Sequence, residues 1–221
     1  MNPEKLRNDL GRIWLNVASS TGVLEGFANL DNSIFLRLLP LYPVLRFGLG
    51  AGHLALIQQY RDARAKAMLL RHDCRKPLPL PSAVADHVLC SHFLEHVSAA
   101  EVPPILADFH RVLKPGGTVH IVVPDLALQV AAYTSSRGDP DAADAFVRGL
   151  LLRRESAGSL RFRILDFAGS LGLQHQWMYD GDSMAARLAA AGFDLLDRND
   201  TPSGHYRLGD GESVHVVGRK P

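Results

Sequence analysis

Cysteine is scarce. Cys74 and Cys90 are the two in a chain of 221 residues, and neither sits at a metal-like spacing. That argues against a disulfide framework and fits a reducing, cytoplasmic compartment. Cys90 lies in an apolar run and reads as a buried thiol. An excess of one charge is also lacking: 24 Lys and Arg stand against 23 Asp and Glu, net +1, without the basic footprint of a nucleic-acid binder. No apolar run reaches the ~18 residues of a membrane span, and MNPEKLRNDLGR has no apolar core of the signal-peptide kind. The GxGxxG fingerprint is missing, which disfavours a nicotinamide oxidoreductase. With no metal-ligand spacing, no metal is expected.

What is present is a core. Hydrophobic residues make up 47% of the chain, enough for a single domain over 1–221. Strands are expected at 12–17, 26–31, 68–72, 85–91, 118–123, 193–197 and 213–218. The run TVHIVV is β-branched enough to be buried on both sides, as in a parallel sheet. Helical periodicity fills 99–113, with Val102, Ile105, Leu106, Phe109, Val112 and Leu113 on one face, stopping at KPGG. Further helix is expected at 128–135, 142–154 and 183–191, the last capped by Asp182 or Ser183. Between the second and third strands, 33–67 is an amphipathic insertion broken by Pro40 and Pro43. Strands alternating with helices give an α/β sheet.

Open parallel sheets bind ligands beyond the carboxyl ends of their strands. After the first strand come Ala18-Ser19-Ser20-Thr21-Gly22, small enough for close backbone approach. The second ends on Asp31, a carboxylate suited to ribose hydroxyls. The third is followed by Asp73 and Cys74, the fourth by Ser91 and His92, the fifth by Pro124 and Asp125.

These residues carry a resemblance. Val17 to Gly22 matches four of six positions of the turn V-A-C-G-T-G, departing at Ser19 and Ser20. PLPLPSAVADHVLCSHFLEHV, RVLKPGGTVHIVVPDL and HQWMYDGDSMAARLAAAGF each resemble family blocks in the same order. The chain resembles a class I S-adenosylmethionine-dependent methyltransferase of the small type-11 kind. That implies a Rossmann-like, seven-stranded, mostly parallel sheet with the last strand antiparallel and helices on both faces. It also implies that Ala18, Ser19, Ser20 and Gly22 line the methionine part of S-adenosylmethionine. Asp31 would bond the ribose, Asp73 and Cys74 meet the adenine edge, and Ser91 and His92 close the site near the methionine amine.

The acceptor side is expected in 125–180. His175 is the first candidate base, since a histidine near neutral pKa suits the task. Asp180 or Asp125 would orient it, with His92 and His96 as further candidates. Structural readings stand beside these: Glu95 and His96 as turn-fixing residues, Trp177 and Tyr179 as core aromatics. The expected reaction is methyl transfer to a small-molecule or glycan-like acceptor, at oxygen as first choice. The competing reading is a non-catalytic methyltransferase-fold regulatory protein, raised by Ser19-Ser20. The 33–67 insertion reads as a lid or packing element, including at a homodimer interface, ahead of a membrane-contacting segment. Arg37 and Arg46 within it would suit an anionic substrate group.

Overall fold

The computed structural model describes residues 1–45, 47, 48, 50–151, 174–196 and 211–221. Strands β1 (Trp14–Val17), β2 (Ala28–Asp31), β3 (Leu69–Arg71), β4 (Ala85–Ser91), β5 (Leu113–Pro124), β6 (Asp194–Leu196) and β7 (Ser213–Arg219) form one seven-stranded sheet. Its order is β3-β2-β1-β4-β5-β7-β6. The strands from β3 to β5 run parallel, and β7 runs antiparallel to both β5 and β6. The order reverses between β1 and β4, so the ligand crevice of this sheet class lies beyond the carboxyl ends of those strands.

The two faces of the sheet differ. One carries Leu15, Val17, Leu30, Val88, Cys90, Val119, Ile121 and Val123, all buried in the main core. Helix α4 (Val102–Val112) docks there through Val102, Ile105, Leu106, Phe109 and Val112, the face its periodicity predicts. Each such side chain contributes about 1.5–3 kcal/mol on burial. The opposite face carries buried polar groups: Asn16, Asn29, His87, Thr118 and His120.

The connection from β1 to β2 spans 18–27 without a helix, although the strands are parallel neighbours. Crossovers of this kind usually need a dozen or more residues. Two buried asparagines take the helix's place. Asn16 Nδ2 donates to Asn29 Oδ1 at 2.8 Å and to the Gly22 carbonyl at 3.0 Å. Asn29 accepts from Leu24 N and donates to the Leu24, Phe27 and Met68 carbonyls. The connection's polar backbone is thereby satisfied inside the protein.

The insertion forms α1 (Ile34–Leu38), α2 (Tyr42–Leu45) and α3 (Ala51–Lys66). Phe35, Leu36, Ile57, Tyr60 and Ala63 pack with Val23 and Leu69 in a second core cluster. Leu69 pairs in register with Asn29, which places this cluster on the polar face. Helices α5 (Leu126–Ser135) and α6 (Ala142–Gly149) follow β5, and α7 (Gly181–Ala190) precedes β6.

Several expected boundaries are corrected. Helix α4 stops at Val112, and Leu113 already pairs with Ala85 as part of β5; the strand is irregular over 114–117, with Gly116 at φ +77°, before Thr118 pairs with His87. Helix α7 is capped by Asp180, not by Asp182 or Ser183. The Asp180 carboxylate accepts from Ser183 N while the Ser183 hydroxyl receives Asp180 N–H, a reciprocal capping box. Helix α5 starts earlier than expected because Asp125 Oδ1 accepts from Ala127 N at 2.8 Å. Helix α6 ends at Gly149, and the remainder of the expected 142–154 helix falls partly outside the described residues, as does Arg46.

Candidate active site

The carboxyl ends of β1 and β2 build one half of the site. Ala18 and Ser20 both adopt the left-handed conformation, φ 56° and 49°. That region is costly for residues with a Cβ, so the turn holds strain. Backbone bonds fix it: Ser19 N donates to the Leu30 carbonyl at 2.9 Å, and Gly22 N to the Ser19 carbonyl at 2.8 Å. A Cβ at Gly22 would stand 3.2 Å from that carbonyl, tighter than most real contacts. Glycine is the residue that keeps this turn closed.

Asp31 is the centre of this half. Its Oδ2 accepts from Ser20 N at 3.0 Å, and its Oδ1 from Ser33 N at 2.8 Å and the Tyr60 hydroxyl at 3.3 Å. Burial raises the Asp31 pKa, and these donors partly oppose it. Tyr60 reaches in from α3, within 3.3 Å of the Ser20 hydroxyl as well. Sequence reasoning missed Tyr60, because it lies inside the insertion at no motif position. The insertion therefore packs on the sheet and also holds the strand-end carboxylate.

Beyond β3, Asp73 is paired with Arg75 Nε and Nη2 at 3.0 and 3.1 Å, which holds its carboxyl below the usual range. Cys74 is core. Its thiol is pushed up to about 12 by burial, so it stays protonated at neutral pH. Any adenine contact at this position falls to the backbone.

The carboxyl end of β4 builds the other half. His92 follows Ser91 with φ 51°. Its Nδ1 meets Glu95 Oε1 at 3.1 Å, and its Nε2 lies 3.4 Å from the Ser213 hydroxyl. Glu95 is 0% exposed. The segment 174–177 is laced onto it: Gln176 N and Trp177 N donate to the Glu95 carbonyl, Gln176 Nε2 to the His96 carbonyl, and His96 Nδ1 to the Gln174 carbonyl at 3.0 Å. This brings His175 against His96, ring centroids 5.0 Å apart. His175 is 7% exposed. Burial lowers its pKa, Glu95 opposes that, and His96 adds to it. The carboxylate beside His175 is thus Glu95. Asp180 and Asp125, expected to orient His175, are instead engaged as helix caps.

Next to this segment lies a cleft of ≈ 550 Å³ lined by Leu126, Leu150, Gln176, Trp177, Met178, Asp180, Ser183 and Arg187. Trp177 is 47% exposed into it, whereas Tyr179 is 1% exposed and belongs to the main core. The two aromatics of HQWMYD therefore have different roles.

Residues 45–121 match the family model described as "Methyltransferase domain". Over this stretch, about a third of its length, the chain is similar to a methyltransferase domain. The match covers the insertion's long helix, β3, β4 and the first part of β5, and leaves out the turn at 17–22. Solved structures share the methyltransferase fold at low identity. A protein from Pyrococcus horikoshii OT3 is 14% identical at TM-score 0.54, covering 98% of this chain and 84% of that one. A chain from Haloferax volcanii, in the complex between the Trm112 methyltransferase activator and a methyltransferase, is 14% identical at TM-score 0.52, covering 96% and 83%. A SAM-dependent methyltransferase from Methanosarcina mazei is 15% identical at TM-score 0.50, covering 94% and 91%. No curated protein matches the chain.

The residues present fit S-adenosylmethionine, the cofactor that the resemblance implies. Asp31 is a carboxylate fixed by three donors at the end of β2, and the β1 turn beside it is held in shape by its own backbone bonds, with Ala18 and Ser20 left-handed. Ser20 takes up a left-handed conformation that glycine adopts more readily.

Proposed function

We propose that this methyltransferase acts on a hydroxyl of a small, glycan-like acceptor bound over the 174–180 segment. Bound S-adenosylmethionine supplies an electrophilic methyl group on a positively charged sulfur. Asp31 would hold the ribose hydroxyls, and the 18–22 turn with Ser91 and His92 the methionine end. His175 would take the proton of the acceptor O–H as the oxygen gains the methyl group, leaving a methyl ether, S-adenosylhomocysteine and the proton on imidazole.

The observation that carries this reading is the pairing of the His175 cluster with the adjoining cleft. A buried imidazole with a lowered pKa is neutral at pH 7 and can accept a proton. The cleft combines an exposed indole with Gln176, Asp180, Ser183 and Arg187. A sugar ring offers an apolar C–H face for such an indole and hydroxyls for such polar groups, the mix that orients ligands in pockets. Incubation with methyl-labelled cofactor and a panel of sugars, phenols and amines tests the acceptor class. Label in methyl ethers is expected, and label confined to amines would remove the oxygen assignment. His175→Ala should lower turnover while cofactor affinity holds. Retained turnover would place the base elsewhere.

A further inference from the structure

Glu95, His96 and His175 bring one ligating atom each within 4.8 Å of one another. The sequence hides this set, because Glu95 and His96 are adjacent while His175 arrives from a distant segment. Three details go beyond proximity. The Glu95 carboxylate is fully buried, and its Oε2 has no hydrogen-bond partner. His175 is buried, and its Nδ1 likewise has none. His96 Nδ1 is committed to a backbone carbonyl. In the neutral ring that leaves Nε2 with its lone pair.

A buried, unpartnered carboxylate oxygen is costly unless something completes it. Here His92 already holds Oε1, which aims Oε2. A backbone carbonyl holding one nitrogen of a ligating histidine, and a hydrogen bond to a ligating carboxylate, are the outer supports that metal sites use. We infer that Glu95, His96 and His175 form a site for one divalent first-row transition ion, of the kind that takes two imidazoles and one carboxylate. Ligands around such an ion stand about 3.4 Å apart, so modest side-chain adjustment closes the set. Three protein ligands leave coordination positions open, and an acceptor hydroxyl bound there would lose its proton more readily. That use of the ion rests on the oxygen-acceptor reading, while the binding itself does not. An ion on His175 would also take the lone pair assigned above to the acceptor proton, and a bound hydroxide would serve instead.

The test needs no acceptor. Chelator-treated protein is titrated with Zn²⁺ by calorimetry and with Co²⁺ by visible absorption. One equivalent should bind at micromolar concentration or tighter, with Co²⁺ showing ligand-field bands. Glu95→Gln and His175→Ala should each weaken binding by at least ~100-fold, while S-adenosylmethionine affinity reports that both variants remain folded. If Glu95→Gln fails to fold, the His175→Ala result decides. Less than one equivalent bound, or affinity unchanged in the folded variants, overturns the site. Failure of the ion with cofactor binding and O-methylation intact leaves the proposed function standing. Ion binding with transfer confined to amines overturns that function and leaves the site.

Discussion

Asp31 at the end of β2 and Glu95 just beyond β4 are two carboxylates on either side of β1, and they are treated oppositely. Asp31 is partly buried, and three donors meet it: Ser20 N, Ser33 N and the Tyr60 hydroxyl. Glu95 is fully buried, with one oxygen held by His92 and the other left without a partner. The first has its oxygens held by the protein. The second has an oxygen that the protein leaves unheld. On the function proposed above, the first serves the cofactor and the second the acceptor half. An orphan atom alone does not make a site. His87 Nε2 is buried and unpartnered too, but it sits in mid-strand and belongs to no group of three possible metal ligands among the described residues.

Substitutions can break this contrast. Asp31→Ala should cost at least ~100-fold in S-adenosylmethionine affinity, about 2.7 kcal/mol, while Glu95→Gln leaves that affinity within ~3-fold. Calorimetry on both variants decides, and equal losses would erase the distinction. His87 supplies the acid-sensitive control. Burial pushes its imidazole down to about 4 from 6.5, so the unfolded chain binds the extra proton between those values. The His87 contribution to stability should therefore be full above pH 6.5 and fall by roughly 3 kcal/mol on acidification to pH 4. Urea melts across that range should show the slope, and the His87→Phe, Thr118→Val double variant should lessen it by that share, with His120, lowered to about 3, keeping part of the remainder.

Asn29→Leu tests the support beneath Asp31. It strands donors and acceptors in the helix-less connection and should destabilise by ~2–3 kcal/mol in denaturant melts. Tyr60→Phe removes one long donor (3.3 Å) from Asp31 and should weaken cofactor binding by ~3–10-fold, the worth of one ordinary hydrogen bond at about 0.7–1.4 kcal/mol. Ser20→Gly is the mildest. Relief of a left-handed serine should raise stability by about 0.5–1 kcal/mol, with cofactor affinity kept. Lost affinity would make the serine hydroxyl a ligand contact.

Much of this was legible in the chain. Strand β4 falls at 85–91 as its apolar run indicates, and the α4 face follows the 3.6-residue period. Local hydrophobic pattern sets such elements, and the family blocks implied the seven-stranded, mostly parallel sheet with its last strand antiparallel. The place of Asp31 at the end of β2 was legible because it closes a short apolar run. Tyr60, Asn16, Asn29 and the Glu95–His175 contact were not, because each acts across a long sequence separation that no local pattern records. The cap of α7 was misplaced for a local reason: Asp180, Asp182 and Ser183 are all good cap residues, and only the reciprocal bond with Ser183 selects Asp180. The 152–173 and 197–210 stretches lie outside the described residues.

The most direct measurement is calorimetric titration of the purified protein with S-adenosylmethionine and S-adenosylhomocysteine, with NAD as control. The account predicts one site for each adenosyl ligand with Kd on the order of micromolar, and no heat from NAD. A folded sample that binds neither adenosyl ligand would contradict it, and would mean that the strained Ala18–Ser20 turn and the partnered Asp31 do not form a working cofactor site.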